Sequence, residues 1–521
     1  MQPSLSTPSS LKSWFPTLPW LFAIGFVFWF GSLAMFGINM DQGYALFRED
    51  QRIWLSQGRW AIFLLAQYIH PQPVLAYFPH LMYVLCAAFA YPLLLDAFQI
   101  STRSKKAALL AFPLFMAHPI WYFILEFTAN TVPTGLGLLS IAMAVWLFAL
   151  LIQQRSPLQP LLNGLLQVAL LCLALGLYQS LLFMAATFYL ALLIKYYVQR
   201  PLSLKPLLLS AFILGTGLVT NSLLLELLYK IYDTQDDYIS NNLHFKQILE
   251  NTGHALNFTL SNLRQVYLGE TRVYSTNFMS SGLIFILAIG YFLLRQAKNT
   301  YLQIHQNNQA RRGLSIVILL VLFTFALLVL FIPLIPQLLT GGLYRMPYRT
   351  LIAASAPLWL AAIYLLTQAQ NKFWRYLVLA VMVGSQIQIL HIHARFNSST
   401  ALLKNYDRTL ATTIYNRAME VVPDFSLEHP TPFDIGGGIF YTPLYGDPPS
   451  SLMTDSFFGL KYDVQIRVGN FMRSQGLTGL VPVNMNYHVG LKPYYADMPS
   501  WPAKGSMRMH DGILLIKLSD Y

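Results

Sequence analysis

Long apolar runs separated by short polar joints fill the first 393 residues of the chain. Nine or more of them are long enough for a helix to cross a ~30 Å hydrocarbon core, and spans are placed at about 14–37, 74–96, 107–125, 133–152, 160–178, 180–197, 206–229, 280–294, 314–337, 350–367 and 377–393. After residue 393 the texture changes to Pro- and Gly-rich turns ("DIGGGIF", "YGDPPSS") and short alternating runs such as "GILLIKL", the signature of short strands between turns. The pattern predicts an all-α polytopic membrane protein of about eleven transmembrane helices, followed by a small α/β or α+β C-terminal domain. Residues 1–393 form the membrane domain, with external loops at 38–73 and 230–279, and residues 394–521 form the external domain.

Composition agrees with this reading. Hydrophobic residues make up 55% of the 521 and charged ones only 11%, against about 25% charged in a soluble chain. The first run is longer than a secretory h-region and lacks a small-x-small cleavage site, so it reads as a retained span. Cys86 and Cys172 both fall inside predicted spans and read as packing residues, not a disulfide.

The net charge of +12 would suit nucleic acid, but its distribution points elsewhere. Alternate joints, counted from the N-terminus, hold Lys12; Arg103, Lys105 and Lys106; Arg155; Lys195, Arg200 and Lys205; Arg295, Lys298, Arg311 and Arg312; and Lys372 and Arg375. The one acid beside them is Asp96. The positive-inside rule makes these joints cytoplasmic, which puts the N-terminus inside and, after eleven spans, residues 394–521 outside. The polar chemistry then lies on the external side. A transporter would instead need polar groups at mid-membrane with access from both faces.

The first external stretch, "NMDQGYALFREDQRIWLSQGRW" (39–60), gathers charge unusually densely. On a helical wheel Arg48, Arg52 and Arg59 share one side, with Leu46, Phe47, Ile53, Trp54 and Trp60 broadly opposite. This predicts an interfacial amphipathic helix, interrupted by Gly43 and Gly58, with Asp41 either capping it or projecting into the polar space. Guanidinium forks fit phosphate oxygens, and a nearby carboxylate could take a proton from an incoming hydroxyl. The same pattern fits a surface helix whose arginines bind lipid headgroups. Glu49 and Asp50 read as ionic partners of Arg52 and Arg48.

Elsewhere, "GGLYRMPYRT" sets Arg345 and Arg349 four apart, one above the other if helical, as a second phosphate clamp or as headgroup anchors. Tyr178 and Gln179 occupy a tight turn where a hydroxyl and an amide could bind sugar. Glu126, with Asn130 nearby and His118 and Trp121 before it, is a membrane-embedded carboxylate and hence a candidate for acid–base or sugar-binding work. "DTQDDY" (233–238) offers hard oxygen ligands but also suits an acidic surface loop, and "HIH" (391–393) is too little for a zinc site. No metal or other cofactor is therefore expected. "IGGGI" lacks the Lys-Ser/Thr of a phosphate loop and reads as a turn.

The carboxylate after the first span, the "W-x-x-x-G-R" of Trp54, Gly58 and Arg59, "LGLYQS" (175–180) and "YRMPYRT" (344–350) together resemble the bacteriophage-type serotype-conversion, or O-antigen, glucosyltransferases, membrane enzymes of the GT-C class. The likeness covers most of residues 14–393. In that family the early external segment often carries paired acids, whereas here Gln42 stands beside Asp41. The resemblance implies inverting transfer of a sugar, typically glucose, from a polyprenyl-phosphate carrier to a surface glycan such as O-antigen of lipopolysaccharide. It implies a bacterial inner membrane with the active site and C-terminus periplasmic, and a flippase and a donor-synthesising enzyme as partners. Carried over, the base is Asp41, with Glu126 second. The substrate-binding set is Arg48, Arg52, Trp54, Arg59, Tyr178, Gln179, Arg345 and Arg349. A surface-polysaccharide polymerase or ligase, which usually carries its large external loop late among the spans, and a lipid or glycan transporter are the alternatives.

Overall fold

A computed structural model describes residues 11–34, 37–70, 75–199, 203–235, 244–306, 320, 323–368, 372–439, 455–459 and 463–520. The protein is mostly helical, with one small sheet near its C-terminus. Among the described residues nine helices are long and apolar enough to cross a membrane: Leu11–Ala34, Phe78–Ala97, Lys105–Leu125, Thr128–Ile152, Pro160–Leu177, Leu181–Val198, Leu204–Tyr232, Tyr348–Gln368 and Lys372–Val421. The runs predicted at 280–294 and 314–337 appear as the shorter apolar helices Ser280–Phe292 and Phe323–Leu338, part of the second lying outside the described residues.

The chain divides into two compact units. One holds residues 1–34, 50–71 and 77–393; the other holds 35–49, 72–76 and 394–521. The division at 393 falls inside a helix, because Lys372–Val421 continues well past the last predicted span. No Gly or Pro occurs between Ala394 and Val422 to stop it.

In the first unit the helices pack through aromatic and small residues, as expected where lipid removes the usual hydrophobic drive between helices. Trp359 donates from its indole to the Tyr91 hydroxyl, which donates to the Ala108 carbonyl (3.0 and 2.7 Å). Rings of Phe98, Phe112, Phe115 and Phe188 surround this pair at centroid separations of 4.9–5.9 Å. This indole and this hydroxyl thus have partners inside the bundle, where water is scarce. Asp96, the acid among the predicted cytoplasmic cations, accepts from the Trp146 indole (2.8 Å) and pairs with Arg155 (3.6 Å).

Residues 60–69, within the predicted external loop 38–73, form an apolar helical stretch, Trp60–Ile69. Ala61, Ile62 and Phe63 are buried with Ala129 and Leu177. Trp60 lies against Gly176, where an added Cβ would meet the indole at 2.3 Å, and donates to the Asn221 carboxamide (2.9 Å).

The second unit is built on a four-stranded sheet in the order β2-β1-β4-β3, where β1 is Thr431–Gly436, β2 Leu480–Pro482, β3 Met507–His510 and β4 Ile513–Lys517. β1 runs parallel to both β2 and β4, and β3 pairs antiparallel with β4. The alternating "GILLIKL" run supplies β4. Helix Val464–Ser474 joins β1 to β2, a crossover that parallel strands require. The core combines Phe433, Ile435, Leu514 and Ile516 of the sheet with Val468, Phe471 and Met472 of that helix, and it includes Ile38 from the first loop. The "IGGGI" stretch leaves the end of β1 as a bend. Gly437 sits at φ +74°, and a side chain there would clash with Ser519.

Candidate functional site

The first loop is not one amphipathic helix. Helix Met40–Leu46 ends at Phe47, and a second short helix, Ile53–Ser56, follows. Asp50 causes part of this break by folding back on the backbone N–H of Arg52 (2.9 Å), a local bond that competes with helix propagation. No single helix therefore carries the predicted stripe of Arg48, Arg52 and Arg59. Arg48 falls in the second unit, while Arg52 and Arg59 fall in the first. Arg52 is exposed and pairs with Asp50 (2.7 Å).

Asp41 does not cap its helix. Asn39 does, accepting from the Gln42 N–H (2.8 Å) while the Gln42 carboxamide accepts from the Asn39 N–H (2.9 Å), a reciprocal capping box. Asp41 instead projects toward helix Val464–Ser474 of its own unit, where Arg467 donates to its carboxylate (3.1 Å). Arg467 also donates to Asp463 (2.5 Å), and the Tyr44 hydroxyl donates to the other oxygen of that acid (2.5 Å). Burial opposes ionisation of Asp463, but the bonds from Arg467 and Tyr44 outweigh it and hold the carboxyl below its usual range. Burial also lowers the Arg48 pKa, with Asp41 acting against that shift.

The first unit gathers a different set. Helix Ile53–Ser56 ends in a Schellman turn: Gly58 N–H donates to Leu55 C=O (2.7 Å) and Arg59 N–H to Trp54 C=O (2.8 Å). Gly58 occupies the left-handed position such a turn requires, at φ +70°. The "W-x-x-x-G-R" spacing is thus the spacing of the turn itself. It turns Arg59 back so that its guanidinium lies 5.9 Å from the Trp54 ring and 5.1 Å from the Tyr178 ring, and donates to the Asn130 carboxamide (3.3 Å).

Tyr178 and Gln179 stand between helices Pro160–Leu177 and Leu181–Gln199. The Tyr178 hydroxyl donates to the Arg349 carbonyl (2.9 Å), and the Gln179 amide donates to the Gln57 carbonyl inside the Schellman turn (2.6 Å). Arg349 spreads its guanidinium over the Phe127 ring at 5.0 Å. Buried Glu126 immediately precedes Phe127, and Asn130 follows in the first turn of Thr128–Ile152. Trp54, Arg59, Asn130, Tyr178, Gln179 and Arg349 are therefore linked by these contacts, with Glu126 four residues before Asn130 in the chain.

Arg345 and Arg349 are not stacked. Pro347 stands between them, and the helical stretch begins only at Tyr348. Arg345 donates to Ser261 (3.3 Å) and lies 5.7 Å from the Phe258 ring, apart from those linked residues. Arg349 makes no ion pair among the described residues. Arg349 stands at the first turn of the candidate span Tyr348–Gln368, and a half-buried guanidinium without a carboxylate suits an anionic ligand.

Of the oxygen-rich 233–238 stretch, residues 236–238 lie outside the described residues. His391 is exposed, whereas His393 is buried against Trp29 with its ring 3.2 Å from the Phe28 carbonyl, so the two imidazoles do not converge. Sequence reasoning missed Gln57, Phe127, Tyr44, Asp463 and Arg467. Pro347 was a legible sign that Arg345 and Arg349 would separate; nothing local announced Arg467.

The family model described as Glucosyl transferase GtrII matches residues 31–366, more than half of the chain. No curated protein and no solved structure matches the chain.

Proposed function

Because the chain belongs to the GtrII glucosyl transferase family, and is thus a multi-pass membrane glycosyltransferase, we propose that it moves glucose from a polyprenyl-phosphate carrier to a surface glycan on the periplasmic side of a bacterial inner membrane. The acceptor hydroxyl attacks the anomeric carbon with inversion and its proton passes to a carboxylate base. The bond from that carbon to the phosphate oxygen breaks, and polyprenyl phosphate departs with the electron pair. The sugar phosphate is already activated, so the enzyme has two tasks: to take the proton and to hold the phosphate. In this reading guanidinium groups, not a cofactor, meet the phosphate charge.

What carries the reading is Arg349, half-buried with its guanidinium over Phe127 and its carbonyl held by Tyr178, and with no ion pair among the described residues. A diester phosphate held by a lipid tail is an anion that reaches the membrane edge with its charge intact, and planar guanidinium groups suit its oxygens. Tyr178, Gln179 and Trp54 shape the surroundings of the arginines, the first two through hydrogen bonds to the Arg349 and Gln57 carbonyls. Asp41 is assigned the base.

The test is Asp41→Asn beside Glu126→Gln, with protein level and membrane insertion checked. Loss of a general base typically lowers the rate by about 10²–10⁴-fold, so Asp41→Asn should bind donor and scarcely transfer. Near-normal transfer by this variant overturns the assignment. Glu126, buried and just before the Phe127 that Arg349 covers, is the second candidate, and loss confined to Glu126→Gln would move the role there.

A further inference from the structure

Residues 37–49 are not a free loop. Ile38 is part of the core of the C-terminal unit, and Ala45 and Leu46 pack against it. Gly43 faces helix Val464–Ser474 so closely that a Cβ built on it would lie 3.5 Å from the Asn470 Cβ and 3.6 Å from the Phe457 ring. Phe47 lies under the Arg473 guanidinium at 4.2 Å. The segment that bears Asp41 is thus built into a domain that begins at residue 394, beyond the stretch 31–366 that defines the family match.

The contact that reaches the carboxylate itself is Arg467. One guanidinium bridges Asp41 (3.1 Å) and Asp463 (2.5 Å), and lies 5.7 Å from the Tyr44 ring. Asp463 and Tyr44 in turn hold each other. Arg467 is largely buried and fixed at its far end by Asp463, whereas nearly half of the Asp41 side chain remains open. A rigid, doubly anchored donor that grips one oxygen of a carboxylate and leaves it accessible is an orienting device.

We propose that Arg467 is a positioning residue for the transfer reaction: it holds the carboxylate of Asp41 in its working orientation, and the C-terminal domain is thereby an obligatory part of the catalytic apparatus. The inference rests on the reading of Asp41 as base. Arg467 itself touches neither donor nor acceptor. Its removal lets Asp41 swing, and misplacement of a reacting group by about 1 Å can cost about 10²-fold in rate.

The experiment compares wild type, Arg467→Ala, Arg467→Lys, Asp41→Asn and the double variant Asp41→Asn/Arg467→Ala, in full-length protein reconstituted with a synthetic polyprenyl-phosphate glucose and a glycan acceptor. Arg467→Ala should lose about 10–10²-fold in kcat with donor KM unchanged, and Arg467→Lys should recover part of it by keeping the charge. The double variant should be no slower than Asp41→Asn, since Arg467 acts through that carboxylate. Normal kcat in Arg467→Ala, or a loss of equal size in the Asp41→Asn background, overturns the inference while leaving Asp41 as base. Normal transfer by Asp41→Asn overturns both.

Should Arg467→Ala fail to fold, the pair Gly43→Cys/Asn470→Cys gives a second reading. The Cβ separation fits a disulfide, and the native Cys86 and Cys172 are buried in the other unit. Cross-linking with turnover retained shows that the docked arrangement is the working one. Absence of the cross-link, or loss of turnover restored by reductant, overturns it.

Discussion

Arg349→Ala separates a donor clamp from a headgroup anchor more cleanly than any other change at the candidate site. Truncation removes a half-buried guanidinium that has no carboxylate partner among the described residues and touches the Phe127 ring at 5.0 Å. That cation–π contact is worth about 0.5–1 kcal/mol at an exposed site. The hydrogen bond from Tyr178 goes to the Arg349 backbone carbonyl and survives the change. The stability cost is therefore small, within about 1 kcal/mol. A charge-assisted contact to phosphate is worth about 1.5–3 kcal/mol, and at about 1.4 kcal/mol per tenfold this weakens donor binding by roughly 10- to 150-fold. The assay is the initial rate of glucosyl transfer against synthetic polyprenyl-phosphate glucose at saturating acceptor, with thermal unfolding of the same preparation alongside. Raised donor KM at nearly constant melting temperature is expected. Unchanged donor KM would show that Arg349 serves lipid headgroups and would remove the observation on which the phosphate-clamp reading stands.

Further outcomes follow from the same geometry. Gly58→Ala forces a side chain into the left-handed position at φ +70°, at about 1–2 kcal/mol, and by loosening the Schellman turn should raise donor KM in kinetics even where expression is normal. Tyr495→Phe removes a donor at 2.9 Å from the fully buried Asp434 carboxylate, which His488 also contacts at 2.9 Å; it should destabilise the C-terminal unit by about 1.5–3 kcal/mol, read as faster limited proteolysis there. The Asp463 carboxyl is held below its ordinary 3.8, so its contribution to stability is complete above about pH 4 and lost as pH falls through the depressed folded value; Asp463→Asn should lower stability at neutral pH and flatten the acid limb of the stability–pH curve. The partition of lysine and arginine between joints predicts, by the positive-inside rule, a C-terminus outside the cytoplasm. An alkaline phosphatase fusion at Tyr521 should therefore be active, and an inactive, stable fusion would refute that topology.

The membrane class, most of the long helices and the strand character of "GILLIKL" were determined by the sequence alone, because each depends on local composition and on periods of 2 or 3.6 residues. The "W-x-x-x-G-R" motif was also local: six consecutive residues form the turn, and Gly58 is needed there whatever lies around it. Helix Lys372–Val421 outran its predicted end because hydropathy marks where lipid stops, whereas a helix stops at a breaker, and none occurs before Pro423. The wheel over 39–60 failed for a related reason. It assumes an unbroken helix, and Asp50 bonding back to the Arg52 N–H is a two-residue event that periodicity does not register. Which arginine faces which partner was decided only in three dimensions. Arg59 meets Tyr178 and Asn130, and Asp41 meets Arg467 across 426 positions of chain. Ion pairs at such separation leave no periodic trace, since any exposed acid and base read alike until the core that carries them has packed.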